Sequence, residues 1–179
     1  MSRSQNQSSK YLLMIYTGPG KGKTTAAAGQ ALRALGHGSR VYMIHFLKGR
    51  DYGEFLAAQK LPGLDVEKAG RDTFVKRGEP DPVDVKMAQE GWNRACQALE
   101  SGKYQLVILD ELNIALSYGL LSLEEVLPRL NPGKYKCDII VTGREAPEEL
   151  INAADLVSEV KEIKHHFQQG IQSRRGIEY

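Results

Sequence analysis

Short apolar runs alternate with longer amphipathic stretches along this chain. Tyr11 to Tyr16 (YLLMIY), Arg40 to Phe46 (RVYMIHF), Gln105 to Asp110 (QLVILD) and Cys137 to Thr142 (CDIIVT) read as buried strands. Leu64 to Glu67 reads as a short strand and Leu156 to Ile163 as a last one. Between them, Thr24 to Leu35 predicts a helix rich in small residues (Ala26, Ala27, Ala28, Ala31, Ala34), which lets it lie close to a sheet. Gly36, His37 and Gly38 end it. Residues 54–60 predict a short helix. Val83 to Leu99 predicts a long one, with Val83, Met87, Trp92, Ala95 and Leu99 near one face. Ser122 to Glu125 has the form of a capping box, and Pro128 should shorten or kink the helix it opens. Pro147, Glu148 and Glu149 open another helix, with acids at the positive end of its dipole. Residues 68–82 show no clear period and read as a long loop. Such alternation predicts an α/β fold: one mostly parallel sheet with helices on both faces, binding ligands at the carboxyl ends of its strands.

Composition narrows the class. The 179 residues suit one domain, expected over 11–179, preceded by a polar, flexible arm at 1–10. With 41% hydrophobic and 26% charged residues, a sizeable core is expected. A net charge of only +2 argues against a dedicated nucleic-acid binder. Cys96 and Cys137 lie in apolar segments and read as reduced, buried thiols. No apolar run is long enough to span a membrane, and the polar N-terminus lacks the apolar core of a secretory signal. These features predict a cytoplasmic protein.

The chemistry concentrates in TGPGKGKTT, from Thr17 to Thr25. It lies between a strand and a helix and resembles the phosphate-binding pattern G-x-x-x-x-G-K-[ST], but its first glycine, Gly18, comes one residue late and Thr17 holds the expected position. Backbone N–H groups over 18–24 would cradle phosphates with the helix dipole behind them. Thr17, Gly18, Pro19, Gly20, Lys21, Gly22, Lys23, Thr24 and Thr25 are therefore the candidate ATP contacts. Lys21 and Lys23 would neutralise phosphate charge, and Thr24 would meet Mg²⁺ (or Mn²⁺).

LVILDE supplies a second element: an apolar strand from which Asp110 and Glu111 emerge. Together with Thr24 they form the candidate metal set, Glu111 also being a candidate catalytic group beside Lys23. Two solvated acids opening a helix is the plainer reading of the same pair. Arg144 follows another strand end, and Arg33 lies on the first helix; each is either a phosphate contact or a surface arginine.

TGPGKGKTTAAAGQALRALGHG, followed by HFLKG, LDELNIALSYGLL, IIVTGREAP, ADLVSEV and KHHFQQGIQSRRGIEY, resembles the P-loop ATP:corrinoid adenosyltransferases, from about Tyr11 to Tyr179. The resemblance implies a RecA-like fold, usually as a homodimer. It also implies a reaction: ATP gives its 5′-deoxyadenosyl group to the Co(I) of a corrinoid, and triphosphate leaves whole. In that family ATP lies reversed in the loop. Co(I) is a strong nucleophile and needs no general base, and no Ser-His-Asp or Cys-His set is evident here. An electron donor such as a reduced flavoprotein is implied as partner. Relatives place a tight aromatic pair against the lower corrinoid face. This chain reads GRDTFV at 70–75, so Phe74, with Val75 beside it, is the candidate for that role. His45 reads as a packed or strand-end histidine. The competing readings are a P-loop NTPase or kinase acting at the γ-phosphate, and a non-catalytic carrier that binds ATP and corrinoid.

Overall fold

A computed structural model describes residues 11–49, 52–73 and 75–178; the arm expected at 1–10 and the candidate Phe74 lie outside the described residues. In chain order the elements are β1 (Leu13–Thr17), α1 (Lys23–Gly36), β2 (Val41–Phe46), α2 (Gly53–Ala58), β3 (Leu64–Ala69), α3 (Pro82–Glu100) and β4 (Leu106–Asp110). There follow α4 (Leu112–Ser117), α5 (Leu123–Val126), α6 (Pro132–Tyr135), β5 (Asp138–Thr142), α7 (Glu148–Ala153) and β6 (Leu156–Glu159). The strands form one sheet in the order β3-β2-β4-β5-β1-β6. Every neighbouring pair is parallel, as expected where helices connect the strands. This is the RecA-like P-loop architecture.

Two cores flank the sheet, and strand alternation sorts residues between them. Val41, Met43, Leu106, Ile108 and Ile140 pack with Ala27 and Ala31 of α1. Tyr42, Ile44, Val107, Leu109, Ile139 and Val141 face the larger core, with Trp92, Ala95 and Leu99 of α3 and Leu112 and Ala115 of α4. Ala27 and Ala31 are almost wholly buried, so the small side chains bring α1 against β4 and β5. In α3, Asp81 caps the helix by accepting from the Val83 N–H at 2.8 Å, and Pro82 occupies the first turn.

The structure differs from the expected elements at Ser122 and at the last strand. Ser122 makes no backbone cap. Its hydroxyl donates to the Glu124 carboxylate at 2.6 Å, and α5 gives way after one turn to a 3₁₀ turn at Leu127–Arg129, where Pro128 sits. The last strand stops at Glu159 rather than Ile163, because the chain leaves the sheet edge to run beside the phosphate loop. Arg71 closes the long loop before α3 with a two-pronged pair to the buried Asp84, at 2.7 and 2.8 Å. Cys137 is buried and Cys96 partly so, both as free thiols. No helix of the described residues is long and apolar enough to cross a membrane.

Candidate functional site

Parallel strands deliver their carboxyl ends to one side of the sheet, and the period of two then decides which side chains meet there. His45 lies opposite Asp110, and Leu109 lies opposite Val141. His45, Asp110 and Thr142 therefore form a row across β2, β4 and β5 on the face covered by α1. All three are fully buried.

Asp110 is the hub of that row. Its Oδ1 accepts from Thr24 Oγ1 at 2.7 Å and from Thr142 Oγ1 at 2.6 Å. Its Oδ2 accepts from His45 Nδ1 and from Lys48 Nζ, each at 2.7 Å. An ionised carboxylate offers about four acceptor positions, so Asp110 is saturated. It accepts from His45, which puts the imidazole proton on Nδ1. The buried Nε2 has no partner among the described residues. Burial by itself would raise the Asp110 pKa. The Lys48 charge and the His45 and Lys48 hydrogen bonds outweigh it and hold the group far below the usual carboxylate range.

Glu111 behaves in the opposite way. It takes φ 63°, a left-handed turn between β4 and α4, and its N–H donates to Thr142 Oγ1 at 3.0 Å. Burial and the adjacent Asp110 charge raise its pKa, against the opposing pull of Lys48 and Lys23.

The phosphate loop explains its own displaced glycine. Thr17 is the last residue of β1, paired with Glu159 of β6, so no glycine is needed there. Gly18 takes φ 97°, and a Cβ on it would come within 2.6 Å of Val160 O. Gly20 is pressed on the same segment and donates its N–H to Val160 O at 2.7 Å. Gly22, at φ 119°, opens α1. Lys23 is folded onto its own loop and donates to Gly18 O at 2.8 Å and Gly20 O at 2.7 Å. Burial lowers its pKa most, and Glu111 pulls it back up.

A cavity of about 600 Å³ opens above this loop. Gly20, Lys21, Gly22, Lys23, Thr24 and Thr25 line one wall, with Glu111 and Arg144 beside them. Lys48, Tyr52 and α2 also line the cavity. The polar tail contributes His165 to Phe167, Ser173 and Gly176 to Glu178. Lys21 ties loop to tail by donating to Ile177 O at 3.1 Å, with Glu178 at 3.8 Å.

Not every candidate joins this cavity. Thr17, Gly18 and Pro19 line a second cavity of about 580 Å³ near β6, which Arg144 also borders. Arg33 is exposed near the far end of α1 and bonds Gln30 at 3.3 Å, away from both cavities. Val75 packs partly buried against the larger core and lines neither cavity. Lys48 was not among the candidates. Its only signal in the sequence was its place two residues after a strand end, in HFLKG.

A family profile described as ATP:corrinoid adenosyltransferase BtuR/CobO/CobP matches residues 9–179. The chain belongs to the ATP:corrinoid adenosyltransferase family. It is 35% identical over 177 residues to the corrinoid adenosyltransferase of Pseudomonas aeruginosa, covering 98% of this chain and 87% of that relative. It is 34% identical over 176 residues to the corrinoid adenosyltransferase of Escherichia coli K12, covering 98% and 89%. The flagellar accessory protein FlaH from Methanocaldococcus jannaschii shares the fold alone, with a TM-score of 0.54 at 13% identity over 83% of this chain and 70% of that one.

In this family member the oxygen donors suit a hard divalent ion. Thr24 gives its proton to Asp110 and accepts from Lys48 at 3.3 Å, a position a cation would take over, and Glu111 lines the cavity. Among the described residues no group of three or more His, Cys, Asp or Glu side chains gathers as a metal nest. A bound ion would therefore draw its remaining ligands from phosphate and water.

Proposed function

We propose that the 600 Å³ cavity takes ATP with its polyphosphate on residues 18–25, and that the 5′ carbon faces the corrinoid. The reaction is that of the family. The cobalt electron pair attacks C5′ as the C5′–O bond breaks, and that bond's electrons leave with triphosphate. A cobalt–carbon bond forms and Co(I) becomes formally Co(III).

The residues then divide the work by position. Lys21, Lys23 and the loop N–H groups take up the charge gathering on the leaving triphosphate. Thr24, Asp110 and Glu111 would hold Mg²⁺ (or Mn²⁺), which supplies further positive charge at the polyphosphate. Arg144 borders both cavities, which supports a contact with a phosphate or the corrinoid periphery. Orientation of cobalt and C5′ along one line is the remaining contribution, worth ~7–11 kcal/mol in favourable cases. No side chain has to remove a proton. This reading gives the saturated Asp110 an electrostatic part rather than that of a base.

One observation carries the reading: the cationic loop and the family tail line a single cavity, and Lys21 joins them. The test is a reaction of ATP, Mg²⁺, protein and chemically reduced corrinoid. The cobalt–carbon absorbance spectrum and intact triphosphate are the expected products. ADP with phosphate, or a phosphorylated acceptor, would instead mark attack at the γ-phosphate.

We also read the enzyme as a cytoplasmic homodimer served by an electron donor such as a reduced flavoprotein. The family resemblance supports this, and light scattering with a reconstituted reductase assay tests it. Phe74 is kept as the lower-face aromatic on the same resemblance. Phe74→Ala should lose far more activity with Co(II) and a weak reductant than with preformed Co(I).

A further inference from the structure

The fold builds a specific place for Lys48. β2 ends at Phe46, and Leu47 then takes φ 66°, a left-handed conformation that a leucine adopts only when its surroundings impose it. The turn brings Lys48 across the strand ends. Its Nζ lies 2.7 Å from Asp110 Oδ2, 3.3 Å from Thr24 Oγ1 and 4.9 Å from the centre of the Tyr52 ring. Only 15% of the side chain is exposed.

Thr24 and Asp110 are the two protein groups that hold the metal in P-loop nucleotide enzymes generally. Here an ammonium already sits between them. Four donors fill the acceptor positions of Asp110, so a metal, or a water bound to it, reaches that carboxylate only when a donor leaves. Three of the four are short side chains fixed on β2, β5 and α1. Lys48 alone has a flexible four-carbon stem, and it lines the cavity.

We propose that Lys48 is a resident counter-ion that occupies the metal position in the free enzyme and passes to the polyphosphate when a metal–nucleotide complex enters. The proposal rests on nucleotide binding at this cavity but not on adenosyl transfer. It has two consequences. Divalent metal does not bind the free enzyme at this site and arrives with the nucleotide. Polyphosphate, however, still finds a cation there when metal is removed.

Both consequences are measurable on the full chain without turnover. Manganese alone, followed by electron paramagnetic resonance, should stay unbound with the wild type and Lys48→Arg. Lys48→Met should bind one ion at least tenfold more tightly, and the double variant Lys48→Met, Asp110→Asn should lose that gain. Lys48→Gln replaces the Met variant if the latter does not fold. Inorganic tripolyphosphate, titrated calorimetrically in EDTA, should bind Lys48→Met at least tenfold more weakly than wild type, and Mg²⁺ should narrow the gap to under threefold. Wild type binding manganese as tightly as Lys48→Met overturns the proposal. So does a gained ion that survives the Asp110 change, or an equal tripolyphosphate loss with and without Mg²⁺. If these tests succeed and no cobalt–carbon product forms, the reaction assigned above fails while the role of Lys48 stands.

Discussion

The two walls of the cavity are built to different standards. Behind the phosphate loop, His45, Asp110 and Thr142 are fully buried on three central strands, and four donors satisfy the Asp110 carboxylate. Elsewhere in the lining, α2 buries none of its residues, and in the tail Phe167 and Ile177 are largely exposed. The difference suits the two ligands of the family reaction. A polyphosphate is small and highly charged, and a rigid, dry cradle strengthens every charge that meets it. A corrinoid is large and flat, and a surface with little burial of its own can rearrange around it at low cost.

Breaking the rigid wall should have the largest effect. Asp110→Ala leaves the Lys48 ammonium and the His45 N–H without their acceptor and should cost about 3–5 kcal/mol of stability, read by urea denaturation. Lys23→Ala spares that hub. It should lower kcat/KM for adenosyl transfer by about a hundred- to a thousandfold, the scale for loss of one preorganised charge stabiliser, with the melting temperature moving little.

Glu111→Gln should sharpen the comparison in the other direction. Burial and the Asp110 charge raise the Glu111 pKa in the folded state. The folded form thus prefers the protonated acid, and its stability falls as pH rises from the ordinary glutamate value of about 4.3 through the raised one. The amide removes that loss. The variant should melt above the wild type at pH 7, and the two should converge below about pH 4. No change with pH would place the Glu111 carboxyl in water. Arg33→Ala should do least. The residue is exposed and away from both cavities, so stability should move by less than about 0.5 kcal/mol and the KM for ATP should not change.

Much of the rigid wall was legible in the sequence, because buried parallel strands write themselves as apolar runs and end in the polar residues they present. VYMIHF, LVILD and DIIVT locate His45, Asp110 and Thr142 to within a residue. What the pattern could not supply was register across strands far apart in sequence, and so the row went unread. Lys48 escaped for a related reason: a lysine after a strand end is usually solvated, and only the left-handed Leu47 turns this one inward. The short helices α4 and α6 were not separately predicted. At six and four residues they are too short to show a 3.6-residue period, and tertiary contacts hold them. The capping box at Ser122 failed because a nearby carboxylate took the hydroxyl instead. Arg33 was proposed from its helix alone, and it lies about 15 Å along the axis from Lys23, where the loop meets the helix.

Gly18 and Gly20 press against Val160 and Lys161, and the amide of Gly20 is bonded to the carbonyl of Val160. The turn and the strand-exit segment that feeds the tail are therefore packed backbone against backbone. A side chain larger than hydrogen at either glycine would have to push that segment, and the tail it feeds, away from the turn.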